Sequence, residues 1–221
     1  LITLFIIVYL IIGINYNPQK NIEVNKIYTL VKTPLIIFKN SEMKFTESIL
    51  GIKQEPISFI VTANDDKILI NAFENSGWNL ADEISALSLL NSAKAVILGT
   101  PYPKAPMTPD FWNASVNNLG FEKPTESNSV KKRHHSRFWK TGFKTSNGQY
   151  IYVGTASLDE NLKWAITLKI NPNIDGERTF LFNDLVKANN IKRFKKVSFI
   201  NPEIGKTFVG DLFFTDGQVL I

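Results

Sequence analysis

No cysteine occurs among the 221 residues, which excludes a disulfide framework, a thiol nucleophile and a thiolate metal site. Histidine is nearly as scarce. Only His134 and His135 occur in the chain, and as strand neighbours they point to opposite faces, so a zinc centre, which normally takes three or four His, Cys or carboxylate ligands, is not expected. Asp159, Asp175 and Glu177 are the candidates for an oxygen-ligated magnesium or calcium ion, but the spacing of an EF-hand loop is missing. Also missing are a Gly-x-Ser-x-Gly elbow and a phosphate-cradling glycine loop; Gly142, Gly148 and Gly154 fall where strand-end turns account for them. The sequence therefore calls for no metal and no cofactor.

Charge is lacking at the start of the chain: nothing ionisable in the acidic or basic sense precedes Lys20. The run Leu1-Ile2-Thr3-Leu4-Phe5-Ile6-Ile7-Val8-Tyr9-Leu10-Ile11-Ile12-Gly13-Ile14 is read as a transmembrane anchor over residues 1–19. Fourteen helical residues span roughly 21 Å, short of the roughly 30 Å hydrocarbon core, so residues further upstream are expected to complete the crossing. A signal peptide would end in a small-residue cleavage site, which Asn15-Tyr16-Asn17-Pro18 does not supply. The expectation is a single-pass protein with the lipid bilayer as its first partner, its sidedness left open by Lys20, Lys26 and Lys32 alone. The net charge of +5 suits an acidic partner such as a phosphate group or an anionic membrane surface, although scattered lysines make a solvated surface equally well. Nucleic acid is not the expected partner, since no recognition module accompanies the charge.

Residues 20–55 read as a tether with a possible edge strand, and the compact domain as 56–221. Ile57 to Val61 is a strand candidate, followed by a helix carrying Ile68, Leu69, Ala72 and Phe73 on one stripe, with Gly77 as its stop. A second helix is expected from Ala81 to Leu98, ended by Gly99. Four prolines in the nine positions Pro101 to Pro109 make a stiff extended connector. Strands are expected over Phe111–Ser115, Arg133–Phe143, Gln149–Thr155 and Leu162–Ile170. Between them Glu122–Ser129, Ser146–Gly148 and Ser157–Asn161 read as loops. A helix from about Pro172, a strand over Arg193–Ile200 and a closing hairpin at Asp216-Gly217 complete the chain. The class is α+β: a mixed, mostly antiparallel sheet packed against helices.

Six short motifs in order carry a resemblance: Gly77-Trp78, Pro101 to Pro106, Phe121-Glu122-Lys123-Pro124, Arg133 to Trp139, Val153 to Ser157 with Asp159, and Ile174-Asp175-Gly176-Glu177-Arg178. Across Pro56 to Ile221 the chain resembles the LssY-like C-terminal domain family. That resemblance implies a bacterial envelope domain that often follows membrane modules, hence a possible accessory role beside another membrane protein, with no established activity. One departure stands out: the family's strand before the Asp-Gly-Glu-Arg motif commonly holds histidine, where this chain reads Thr167-Leu168-Lys169-Ile170.

The segment Lys131-Lys132-Arg133-His134-His135-Ser136-Arg137-Phe138-Trp139 holds both histidines and four basic residues. As a strand it sends Arg133, His135, Arg137 and Trp139 to one face and His134, Ser136 and Phe138 to the other. That row is either an anion-recognition surface or half of a buried ion-pair network. In the first case Arg133, His135, Arg137 and Arg178 converge on a cleft for a phosphorylated headgroup or sugar phosphate, with His134, Trp139 and Asp175 as further binding residues. Asp159 and Glu177 beside His135 would make the same cleft a phosphoryl or ester hydrolase, with His135 as acid or base. Asp175 and Glu177 have a purely structural reading too, as the cap and first turn of a helix.

Overall fold

The computed structural model describes residues 27–129, 132–163 and 167–221. In chain order, β1 (Thr29–Val31) precedes two 3-10 turns over Pro34–Lys39 and Ser41–Lys44, then β2 (Phe45–Glu47), β3 (Lys53–Pro56) and β4 (Phe59–Ala63). Helix α1 (Asp66–Asn75), β5 (Asn79–Leu80), helix α2 (Ala86–Leu98) and the short strands β6 (Phe111–Trp112) and β7 (Ser115–Val116) follow. Three long strands, β8 (Leu119–Ser129), β9 (Lys132–Thr145) and β10 (Tyr150–Lys163), lead to β11 (Thr167–Ile170) and helix α3 (Ile174–Lys187). The last strands are β12 (Lys196–Ser198), β13 (Glu203–Lys206), β14 (Leu212–Thr215) and β15 (Gln218–Leu220).

A nine-stranded sheet in the order β12-β15-β4-β10-β9-β8-β5 forms the frame, with β1 beside β9 and β11 beside β10. Only β1–β9 and β15–β4 pair in parallel among the described residues, so the class is α+β with a mixed, largely antiparallel sheet. The β9–β10 hairpin is its spine. Asn147-Gly148 supplies the turn, Gly148 at φ 81°, where a glycine carries no Cβ penalty.

Toward the β9–β10 turn the central strands are apolar on both faces, as strands covered on two sides must be. Phe59, Phe121, Phe138 and Tyr152 face α1 and α3, where they meet Leu69, Phe73, Trp78 and Leu181. Phe73 stacks on Phe121 at 4.0 Å and meets Phe138 edge-on at 5.2 Å. The Phe138 ring also lies across Gly154, where a Cβ would come within 2.4 Å of it; Gly154 is thus a mid-strand close approach, not the strand-end turn expected. Neighbouring residues point the other way: Ile60, Trp139, Ile151 and Val153 pack against Val31, Ile37, Phe38, Trp112, Phe199 and Val219.

Several expected boundaries move. Glu122–Ser129 lies within β8 instead of a loop, because Pro124 sits beyond the short β5 pairing at Asn79 and Leu80, an edge position where a missing N–H costs no ladder bond. Ser157–Asn161 lies inside β10, with Ser157 and Asp159 buried against partners instead of facing water. Phe111–Ser115 breaks into β6 and β7 at Asn113 and Ala114, both at positive φ. α2 starts at Ala86, where Ser85 and Ser88 cap each other reciprocally. Asp216-Gly217 closes no hairpin, since β14 pairs with β13 while β15 pairs with β12 and β4.

Part of the stretch read as a tether packs on the sheet, with β1 paired to β9 and Val31, Ile37 and Phe38 buried. The anchor over residues 1–19 lies outside the described residues. Among those described, no helix is long and apolar enough to cross a membrane.

Candidate functional site

Strand β9 sets the site through its register. Arg133 stands opposite Asp159, His135 opposite Ser157 and Arg137 opposite Thr155 on β10, while Glu122 on β8 stands opposite His135. Directly paired residues share a face, so two guanidiniums, an imidazole, two carboxylates and two hydroxyls fall on the side away from the helices. Arg133 is shared between two acids: its Nη1 lies 2.7 Å from the Glu122 carboxylate, and its Nε donates to Asp159 Oδ2 at 3.5 Å. His135 Nδ1 lies 3.1 Å from Asp159 Oδ1 without the alignment of a hydrogen bond. From above, β3 brings Glu55, whose Oε2 accepts from Ser157 Oγ at 2.8 Å. Asp110, before β6, accepts from Gln54 Nε2 at 3.3 Å and from the Phe111 amide at 2.9 Å. Arg137 donates through Nε and Nη2 to the Thr108 carbonyl at 3.3 and 3.2 Å.

Burial runs from mouth to interior. Glu55, Asp110 and Arg137 are partly buried, whereas Glu122, Arg133, His135, Ser157 and Asp159 are buried. Desolvation dominates the outer carboxyls, raising Glu55 to about 7 and Asp110 to about 6. Burial also lifts Glu122 to about 8, because the Arg133 charge that would lower it is spent in part on Asp159 and the Asp159 charge opposes a second anion. For Asp159 burial acts upward as well, but His135 with Arg133 and Arg137 outweighs it and holds the carboxyl below its usual range. Burial pushes His135 down, only partly offset by Asp159. At neutral pH the site thus holds an anionic Asp159, a neutral imidazole, a protonated Glu122 and a Glu55 shared between its two forms, while Asp110 gains its proton only as pH falls toward 6. Such a set can donate and accept protons within hydrogen-bond reach of a ligand.

The other expected residues lie elsewhere. His134 faces the helices, where its Nδ1 lies 2.8 Å from Glu177 Oε2 and its ring stacks on Phe180 at 4.1 Å and 13°. Glu177 is therefore separated from His135 and Asp159 by the sheet, and the expected trio is divided. Arg178 does not converge with Arg133 and Arg137: on α3 it pairs with Asp175 at 2.8 Å and with both Asp216 oxygens at 3.0 Å, and donates to the Gln218 carbonyl at 2.7 Å. Asp175 accepts from Thr215 Oγ1 and from the Asp216 amide, while Asn173, not Asp175, caps α3. Trp139 is a core wall, its Nε1 bonded to the Ser115 carbonyl at 3.0 Å. Sequence reasoning overlooked Glu55, Asp110, Glu122 and Ser157 as site members. Glu122 and Ser157 stand inside the motifs that carry the resemblance, but both fall in expected loops, and Glu55 falls in the expected tether. No group of three or more His, Asp or Glu among the described residues is arranged to hold a metal ion.

No curated protein and no solved structure matches the chain. A family model does: the one described as LssY C-terminus matches residues 39–219, a span that takes in both faces of the sheet and every residue of the polar cluster. The chain belongs to that family.

Proposed function

We propose that this chain is a membrane-anchored envelope protein whose domain binds a small anionic, phosphorylated ligand at the mouth of the β9 cluster, acting beside or for another membrane protein. The observation that carries the reading is Arg137. Arg133 is closed by two carboxylates, but Arg137 makes no ion pair among the described residues and keeps Nη1 beyond its bonds to Thr108. A guanidinium presents a planar fork to phosphate oxygens. Glu55 and Asp110 at the same mouth are protonated over much of the range below about 7 and 6, so they donate hydrogen bonds instead of repelling an anion. Affinity for a phosphate compound therefore rises as pH falls from 8 to 6. The apolar run Leu1–Ile14 supports the anchor.

The test is a thermal-shift panel of phosphate monoesters, sugar phosphates and lipid headgroups at pH 6 and pH 8. A ligand at about a hundred times its dissociation constant adds roughly 2.7 kcal/mol. The expected result is a shift that is larger at pH 6 and lost in Arg137→Ala, whose own melting point hardly changes. If no phosphate compound shifts the melt at either pH, or Arg137→Ala responds as the parent does, the site is a structural network.

A second reading, a phosphoryl or ester hydrolase, is favoured by Ser157. It faces His135 across the strands, and its hydroxyl already donates to Glu55, a carboxyl able to take that proton near pH 7. Turnover of a generic phosphate or carboxylate ester that disappears in both Ser157→Ala and His135→Ala would support it. Equal rates in parent and variants would remove both residues from any mechanism.

A further inference from the structure

Helix α2 is built inside out. Its buried positions are Ser88 and Ala95, with 6% and 4% exposure, whereas Leu87, Leu90, Ile97 and Leu98 are 68%, 65%, 80% and 60% exposed. The serines are satisfied inwardly: Ser88 Oγ donates to the Glu83 carbonyl at 2.7 Å, and Ser92 Oγ to that of Ser88 at 2.9 Å. Ala86, Leu90, Ala93 and Ile97 follow helical spacing along the outer side, so the aliphatic stripe points away from the domain. An ordinary surface helix turns that stripe to the core.

We infer that α2 is a bilayer-docking helix, its Leu87–Leu98 stripe lying in the headgroup and upper acyl region of an anionic membrane; this rests on the anchor assigned under the proposed function. Charge agrees. From Ile84 to Pro109 the chain holds Lys94 and Lys104 and no Asp or Glu, and only Asp82 and Glu83 precede it, Asp82 engaged by the Tyr102 hydroxyl at 2.6 Å. Lys94 is exposed within the stripe itself, between Leu87 and Leu90 by helical spacing, and its long stem lets the ammonium reach up to the headgroups, while Lys104 follows beyond the helix; such a face suits shallow docking on anionic lipid. A second copy fits less well. A stripe roughly 20 Å long and 10 Å wide offers about 200 Å², far below the roughly 800 Å² per partner of a stable dimer. A fluid surface needs no such area from one helix, because the anchor has already concentrated it there.

The absence of cysteine gives a direct experiment on the full chain. Ile97→Cys, and as a control Ser146→Cys at the exposed hairpin tip, are each labelled with an environment-sensitive fluorophore and reconstituted into vesicles of phosphatidylcholine with and without phosphatidylglycerol. The label at position 97 is expected to shift to the blue, lose quenching by aqueous iodide and gain quenching by shallow nitroxide lipids, more so with phosphatidylglycerol. The label at 146 stays aqueous, and adding Leu87→Asp and Leu90→Asp returns the label at 97 to water. If the protein floats with vesicles while position 97 remains open to iodide, docking by α2 is overturned and the anchor stands. If it does not float at all, both fall. Protection at 97 that appears only with self-quenching between labelled copies assigns the stripe to a second copy and also overturns the inference.

Discussion

Glu122 and Asp159 compete for one guanidinium, and the outcome decides where protons reside. Asp159 keeps the negative charge, the Arg137 guanidinium adding to the pull of Arg133, leaving Glu122 with a proton up to about pH 8. An acid whose folded value lies above its unfolded one binds more protons in the native state, so stability is greatest below the unfolded value near 4.5 and declines as pH rises through about 8. Glu55 and Asp110 act in the same direction up to about 7 and 6. His135 acts oppositely: its depressed value makes the unfolded chain the better proton binder below 6.5, so its contribution grows as pH rises toward that point. The melting temperature is therefore expected to fall from pH 6.5 to about 8 and then to level off, and Glu122→Gln, which fixes the neutral form, to flatten that fall. Parallel pH profiles for parent and variant would show that Glu122 is already ionised in the folded protein. Asp216 shapes the acid limb: burial works against it, but hydrogen bonds from Arg178 and Lys196 prevail and lower it to about 2, so its contribution is present above 3.8 and lost as pH falls through about 2.

Elements are joined by such residues, and α3 is the clearest case. Arg178, 2% exposed, ties the first turn of α3 to the link between β14 and β15. Gly217 meanwhile has no room for a Cβ, which would come within 2.3 Å of the Ile200 carbonyl oxygen. Arg178→Ala leaves Asp175 without its ionic partner and Asp216, itself more than a third exposed, with Lys196 alone, a loss on the order of 1–3 kcal/mol. The prediction is an early melt with no change in phosphate affinity once the protein is folded; weakened binding at an unchanged melting temperature would instead return Arg178 to the ligand site. The same region shows what a sequence conveys. Alternation along β9 was legible, because Phe138 and Trp139 are both large and lie on opposite faces, which fixed the direction of each basic residue. The Asp216-Gly217 signal reported a positive φ correctly, yet β14 and β15 diverge because long-range pairings with β13, β12 and β4 outweigh a local turn preference. Ser157 to Asn161 misled for a related reason. Polar residues in a strand read as loop unless their buried partners are known, and those partners lie up to 102 positions away.

At the scale of the molecule the sheet is covered unequally: two helices close one face, while the other is closed by the 3-10 turns, short strands and connectors that frame the polar cluster. Family membership begins at residue 39, but the physical core begins earlier. Val31, Ile37 and Phe38 are 8%, 5% and 5% exposed, and Phe38 sits edge-on to Phe199 at 4.8 Å and tilted against Trp112 at 6.4 Å. Three such side chains contribute roughly 5–9 kcal/mol at about 1.5–3 kcal/mol each, comparable with the whole stability of an ordinary domain, about 5–15 kcal/mol. A chain starting at Ile27 is thus predicted to melt cooperatively, and one starting at Asn40, which retains nearly all of the family match, to be largely unfolded or to melt far earlier. The loss should spread across the uncovered face, because Trp112 and Phe199 lose their packing together, and it should reach the Glu55–Ser157 contact through β2 and β3. Amide exchange in β6 and β12 reads this directly: faster exchange there than in β8 and α1 is expected in any residual native state of the shorter chain. Indistinguishable melts for the two chains would mean that residues 27–39 merely rest on the domain, and the cluster beneath them would then have to be held by the sheet alone.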